Sequence, residues 1–203
     1  MRKINKIIML LVLMMSALVA NAAENATKIL DKTAETFKKS GDVKIGFTIN
    51  VGGQSSKGII KISGQKFCCS TSGSVVWFDG KTMWHYVQEN EEVNVTNPSE
   101  KEITRINPYA FLSIYKKGYN CKVTKTTDTE YYITLSGKKN SPYKSISLRL
   151  NKSNYQLTYV KTVTAKRTTE ITVNSYIKNQ KFPAYEFSFN KKEFPAAEIV
   201  DLR

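Results

Sequence analysis

Val76-Trp77-Phe78-Asp79-Gly80-Lys81-Thr82-Met83-Trp84-His85-Tyr86 reads as two short strands joined at an Asp-Gly pair. β-Branched and aromatic residues flank the pair, which is itself the strongest short hairpin signal because it supplies the positive φ angles of a tight primed turn. The strands fall at 74–79 and 82–87. Working outward, similar runs at 57–63, 66–71 and 91–96 are separated by turn pairs such as Ser63-Gly64 and Ser72-Gly73. Further toward the N-terminus, Val43, Ile45, Phe47, Ile49 and Val51 alternate with Lys44, Gly46, Thr48 and Asn50, a period of two that marks a strand with one wet face. On the C-terminal side, runs at 120–126, 130–136, 145–150, 156–164, 168–177 and 185–189 continue the pattern, with clean alternation in Ile146, Leu148 and Leu150.

Two stretches break it. Residues 26–39 place Ala26, Ile29, Leu30, Ala34 and Phe37 at the spacing of an amphipathic helix, with Gly41 positioned to end it. Pro108 to Tyr115, followed by Gly118, reads as a short helix with Phe111, Leu112 and Tyr115 on one side. A mainly β chain of about 11–12 consecutive antiparallel strands cannot lie flat without leaving a face uncovered, so an incomplete antiparallel barrel is expected, with the helices covering its open side.

The first residues have the form of a secretory signal: Arg2, Lys3 and Lys6, an apolar stretch from Ile7 to Val19, then Ala20-Asn21-Ala22 as a small-x-small cleavage site. The expected division is a signal peptide at 1–22 and a single domain at 23–203. The apolar stretch is too short for a spanning helix, and no later one nears the ~20 apolar residues that crossing requires. A soluble protein exported to the periplasm is therefore expected. Cys68 is the first cysteine, so no lipid-attachment cysteine follows the cleavage site. The formal charge of +14 falls to +11 without the three signal cations, which implies an acidic partner such as anionic headgroups or an acidic protein face. Export argues against nucleic acid. Much of the charge is scattered in pairs such as Lys38-Lys39 and Lys138-Lys139, the habit of solvated turns.

Catalytic signals are sparse. His85 is the sole histidine, so every His-based triad would run through it and no metal site could draw on two His. Gly80-Lys81-Thr82 resembles the end of a phosphate loop, but Val75 stands where that loop needs glycine. Cys68, Cys69 and Cys121 allow at most one bridge, and neighbouring strand cysteines point to opposite faces. Packing as thiols and pairing of one of the two with Cys121 both remain open. No cofactor, no metal and no enzymatic activity are expected. The aromatic content, with Trp77, Trp84, Tyr109, Phe111, Tyr115, Tyr159 and Phe187 among it, suits a large apolar interior.

Three stretches together resemble the LolA family of periplasmic lipoprotein carriers. The hairpin from Val76 to Tyr86 is similar to the family's Asp-Gly-Lys-x-Leu-Trp-x-Tyr turn and strand. The opening helix, Phe47, Gly58-Ile-Ile-Lys-Ile62 and Phe67 resemble its Phe-rich first strand followed by a Gly-led strand. Phe187-Ser-Phe189-Asn190 through Asp201-Leu202-Arg203 is like its Phe-x-Phe strand and terminal Asp-x-Arg. The resemblance implies an apolar hollow under lid helices and a monomeric carrier. Such a carrier takes acylated lipoproteins from an ATP-driven, lipoprotein-releasing ABC transporter of the inner membrane and passes them to an outer-membrane lipoprotein acceptor. Each acyl methylene withdrawn from water is worth ~0.8 kcal/mol, so such cargo needs shielding to cross an aqueous compartment. Alternation then assigns Phe47, Ile49, Ile60, Ile62, Phe67 and Cys69 to the hollow, with Phe111, Leu112 and Tyr115 closing over them. The chain also departs from the family. The Arg-Pro pair often found before the third strand, whose Arg is implicated in holding the lid, is absent from Ile62-Ser63-Gly64-Gln65-Lys66, and Cys69 stands where a Trp is common. These departures keep a second expectation in play, a periplasmic binding protein for another lipid or amphiphile.

Overall fold

Alternating apolar residues sort the strands into a two-faced sheet, and the twelve strands that result form one continuous sheet. A computed structural model describes residues 26–100, 102, 103, 107, 109, 112 and 115–203; the signal peptide expected at 1–22 lies outside them. Helix α1 (26–39) is followed by β1 (Asp42–Val51), β2 (Gln54–Ser63), β3 (Lys66–Thr71), β4 (Ser74–Phe78), β5 (Met83–Val87) and β6 (Glu92–Thr96). After the central segment come β7 (Tyr119–Thr126), β8 (Glu130–Gly137), β9 (Ser145–Asn151), β10 (Leu157–Val163), β11 (Thr168–Gln180) and β12 (Glu198–Asp201). The sheet runs β12-β6-β5-β4-β3-β2-β1-β11-β10-β9-β8-β7, open at β12 and β7. This is the expected mainly β, incomplete barrel.

The order is two antiparallel meanders, β1 to β6 and β7 to β11, joined where β11 returns to pair with β1, with β12 added at the β6 edge. That seam carries a register shift between Gly46 and Phe47. Ser175 Oγ accepts from Gly46 N at 3.2 Å, and a Cβ at Gly46 would stand 2.6 Å from that oxygen. A bulge with glycine at such a close approach bends the strand and strengthens its twist.

Two expectations change at the C-terminus. Residues 185–189 are not a strand: Pro183 has no N–H to give a ladder, and Ala184–Phe187 close into a 3-10 turn with Phe187 buried. The twelfth strand is instead Glu198–Asp201, and it pairs with β6 in parallel, the one exception to the antiparallel pattern. Residues 182–201 thus form a strap across the outer face of the β3–β6 region. Phe189 and Phe194 pack edge-on against Trp77 at 5.8 and 5.4 Å, and with Ala197 they cover Val93 and Val95. Lys61 on β2 hydrogen-bonds Glu186 and pins the 3-10 turn to the sheet.

The deciding hairpin is present with a different turn. Only Gly80 has positive φ, at 103°, so this is not a primed two-residue turn. Asp79 Oδ1 instead accepts from Lys81 N and Thr82 N, both at 2.8 Å, and spans the loop with its side chain.

Candidate functional site

On the concave face the alternation brings one continuous apolar core together from both halves of the sheet. Ile45 and Phe47 of β1, Ile60 and Ile62 of β2 and Phe67 of β3 meet Ile133, Leu135, Ile146 and Leu148 of β8 and β9. Helix α1 lies over this face with Ala26 and Leu30 fully buried. Thr33 of the helix and Ser40 just beyond it donate to the helix's own backbone, at Ile29 O (3.0 Å) and Thr36 O (2.9 Å).

The described residues among those assigned from sequence lie in or against this core. Phe47, Ile60, Ile62 and Phe67 are buried in this core, as is Tyr115; Ile49, Cys69 and Leu112 are half-buried and packed against it. Phe111 lies outside the described residues. Of the central segment expected to be helical, Leu112 is helical and its N–H donates to Tyr109 O at 3.0 Å. Tyr109 was not among the assigned residues, yet it is 4 % exposed and stacks on Phe37 of α1 with ring centroids 4.5 Å apart. Burial pushes its phenol well above the ordinary value. The signal for it was present in the apolar face of the 108–115 stretch. The concave residues of β8 and β9 were equally legible from their alternation.

The interior is filled by its own side chains, and α1 is clamped over it. Tyr115 donates to Asp31 of α1, and Lys116 Nζ stands 2.8 Å from the same carboxylate. The bond from Lys116, then that from Tyr115, holds the Asp31 carboxyl below its ordinary value. Burial and the Asp31 bond raise Tyr115. Beside α1, at the β7 edge, a cavity of about 610 Å³ opens between Lys28, Ile29, Asp31 and Lys32 of the helix and Val123, Thr126, Tyr131 and Tyr155. None of the residues assigned from sequence lines it.

Reactive chemistry is weakly represented. His85 Nε2 and Ser74 Oγ share a 2.8 Å hydrogen bond, and burial lowers the imidazole from its ordinary value. Among the described residues no carboxylate bonds to that ring, so the pair lacks the third group that orients a catalytic histidine. Among the described residues no cluster of three His, Cys, Asp or Glu side chains could hold a metal ion. All three cysteines are free thiols. Burial pushes Cys68 up to about 11 and Cys69 to about 12, the range of packed rather than nucleophilic thiols. No described helix is long and apolar enough to cross a membrane.

An open, bent sheet wrapped round an apolar core, with a helix clamped over one side, defines the scaffold. The family model described as outer membrane lipoprotein carrier protein LolA matches residues 15–166, most of the chain. The protein belongs to this family. No curated protein matches the sequence. Among solved structures, an uncharacterized conserved protein from Thermus thermophilus is 9% identical over 87% of this chain and 99% of its own, with a TM-score of 0.62. A LolA superfamily protein from Nitrosomonas europaea is 11% identical over 81% of this chain and 97% of its own (TM-score 0.45). A putative outer membrane lipoprotein-sorting protein domain from Vibrio parahaemolyticus is 13% identical over 85% and 99% (TM-score 0.47). The likeness in fold rests on the Thermus protein.

Proposed function

We propose that the protein is a periplasmic carrier that shields the acyl chains of lipoproteins in its apolar interior and moves them from the inner to the outer membrane. The observation that supports this reading most is the continuous concave apolar face under α1. Burial there is non-directional, so it tolerates chains of differing length and releases them without a specific bond to break. Export with cleavage after Ala22, action as a monomer, and the absence of any catalytic role belong to the same reading. Its partners are an inner-membrane lipoprotein-releasing ABC transporter, which supplies the cargo, and an outer-membrane acceptor, which removes it.

Purified residues 23–203 added to spheroplasts making labelled lipoproteins test the reading. Labelled lipoprotein should appear in the soluble fraction bound to the protein. An Ile49→Glu or Leu112→Glu variant, both at half-buried positions where a carboxylate can reach water, should stay folded by circular dichroism and release little. Absence of release by the folded wild type, with a cognate transporter present, overturns the reading. The second reading, a carrier of another amphiphile, draws on the absence of an Arg-Pro pair at residues 62–66.

A further inference from the structure

Basic residues that stand as scattered pairs along the chain are gathered by the sheet. Strands β7 to β11 bring three segments to one end: 116–118 ahead of β7, 138–144 between β8 and β9, and 164–167 between β10 and β11. Lys117, Lys138, Lys139, Lys144, Lys166 and Arg167 are exposed there, and the three segments contain no Asp or Glu. None of these six enters an ion pair among the described residues. The turns that β1 to β6 place at the same end, 52–53, 72–73 and 88–91, hold no Lys or Arg and carry two carboxylates, Glu89 and Glu91. Charge at this end is therefore divided between the two halves of the sheet. At the opposite end the signs are mixed: Lys39 stands 2.6 Å from Glu35, and Lys81 shares its turn with Asp79.

The basic segments are tied into one platform. Lys138 N donates to Gly118 O at 2.8 Å and Ser141 Oγ donates to the same oxygen, which joins the second segment to the first. Gly137 N donates to Lys144 O and Lys144 N to Val163 O, both at 2.8 Å, which joins it to the third. Within the third, Thr164 Oγ1 accepts from Lys166 N at 3.2 Å and Arg167 N at 3.1 Å. The backbone that carries the cations is thus held before any partner arrives. Neighbouring strands lie ~4.8 Å apart, so the five strands that present the platform span roughly 20 Å. That is about two screening lengths at 0.1 M salt, too wide for one small anion to meet all six charges.

We infer that this platform docks on the surface of an anionic lipid bilayer, through headgroup charge and without insertion. Two features of the molecule select this occupant. A plane of negative charge meets every cation of the row at once, and clusters of about 4–8 Lys and Arg are the usual form of such contacts. Specific protein interfaces instead centre on desolvated aromatic or apolar anchors. The large apolar side chains exposed on this molecule, Ile59, Ile177, Tyr185, Ile199 and Leu202, all lie outside the three segments. The carboxylates on the other half of the same end are repelled by the bilayer, so contact is made by the β7–β11 half.

Flotation of the mature chain with two kinds of vesicle tests the assignment, one of phosphatidylcholine alone and one of equimolar phosphatidylglycerol and phosphatidylcholine with the same acyl chains. The protein should bind the anionic vesicles at least about tenfold more tightly, and raising the salt from about 0.1 M to about 1 M should release it. Each cation near such a surface contributes roughly fivefold, so Lys138→Gln/Lys139→Gln/Lys166→Gln/Arg167→Gln should weaken binding by at least about tenfold. The variant Lys38→Gln/Lys66→Gln/Lys178→Gln/Lys181→Gln removes the same charge from exposed positions at the other end and should bind like wild type. Equal loss in the two variants would assign the attraction to net charge and overturn the proposal. Equal binding of the two vesicles would overturn it too, since uptake of acyl chains into the interior is blind to the headgroup. Failure to bind the anionic vesicles also overturns it; retention on an immobilised polyglutamate peptide, lost in the first variant, would then pass the platform to an acidic protein. The assay needs neither cargo nor transporter, so its outcome is independent of the lipoprotein release assay.

Discussion

At the scale of single residues, the sequence is most telling where a side chain is missing. Gly58 sits on β2 opposite Phe47 of β1 and Thr71 of β3. A Cβ there would stand 2.7 Å from the carbonyl oxygen of Ser70 and would strike the end of the Phe47 ring, which is itself 5 % exposed. The ring can swing only into a filled core, and the carbonyl belongs to the β3 backbone. Gly58→Ala should therefore destabilise the fold by about 1–3 kcal/mol, as overpacking does. A lowered urea midpoint with unchanged slope would bear this out; an unchanged midpoint would mean that the Phe47 ring has room to move. The sequence offered the pattern Gly58-Ile-Ile-Lys-Ile62, and period two sufficed to send Ile60 and Ile62 inward. It could not show that the glycine is required by a ring on the neighbouring strand, because that contact exists only after the strands have paired.

At the scale of elements, the strand alternation was legible from 43 to 177 because one face of the sheet is wet and the other packed, so every strand carries its orientation in its own residues. The C-terminal strap was not legible. It lies flat on the outer face, where Trp77 and Trp84 already break the rule that outward residues are polar, and Phe187 and Phe189 mimic a strand while serving a 3-10 turn and an aromatic cluster. The lid contact was also hidden. Without an Arg-Pro pair, α1 is held by Asp31 to Tyr115 and Lys116, residues separated by most of the first half of the chain. Because these bonds depress the Asp31 carboxyl from its ordinary 3.8, the carboxylate form is favoured in the folded state. Its contribution is present above pH 3.8 and is lost as the pH falls through the lower folded value. The Tm of Asp31→Asn should thus lie below that of wild type at about pH 6, and the gap should close as the pH drops below the ordinary carboxyl value. A gap that persists at about pH 2 would assign the loss to packing rather than to charge.

For the whole molecule, the filled interior and the clamped helix set one requirement: a chain can enter only if α1 yields its place over the concave face. On the proposed function, cargo would bind a minor, opened state, and its apparent dissociation constant would be the intrinsic value divided by the fraction of molecules that are open. Weakening the clamp without touching the core raises that fraction. Tyr115→Phe is the variant that separates the two effects, since it keeps the buried ring and removes only the hydroxyl that donates to Asp31. Loss of one hydrogen bond to a charged group is worth about 1.5–3 kcal/mol, though Lys116 retains its hold on the carboxylate and Asp31 is partly exposed, so the lower end applies. Tyr115→Phe should therefore lower the Tm yet bind a synthetic triacylated lipopeptide several-fold more tightly than wild type in a fluorescence titration. The opposed signs are what identify a lid. A ligand that bound the closed molecule would gain nothing from the lost hydroxyl, and equal affinities for wild type and Tyr115→Phe would place the cargo somewhere other than beneath α1.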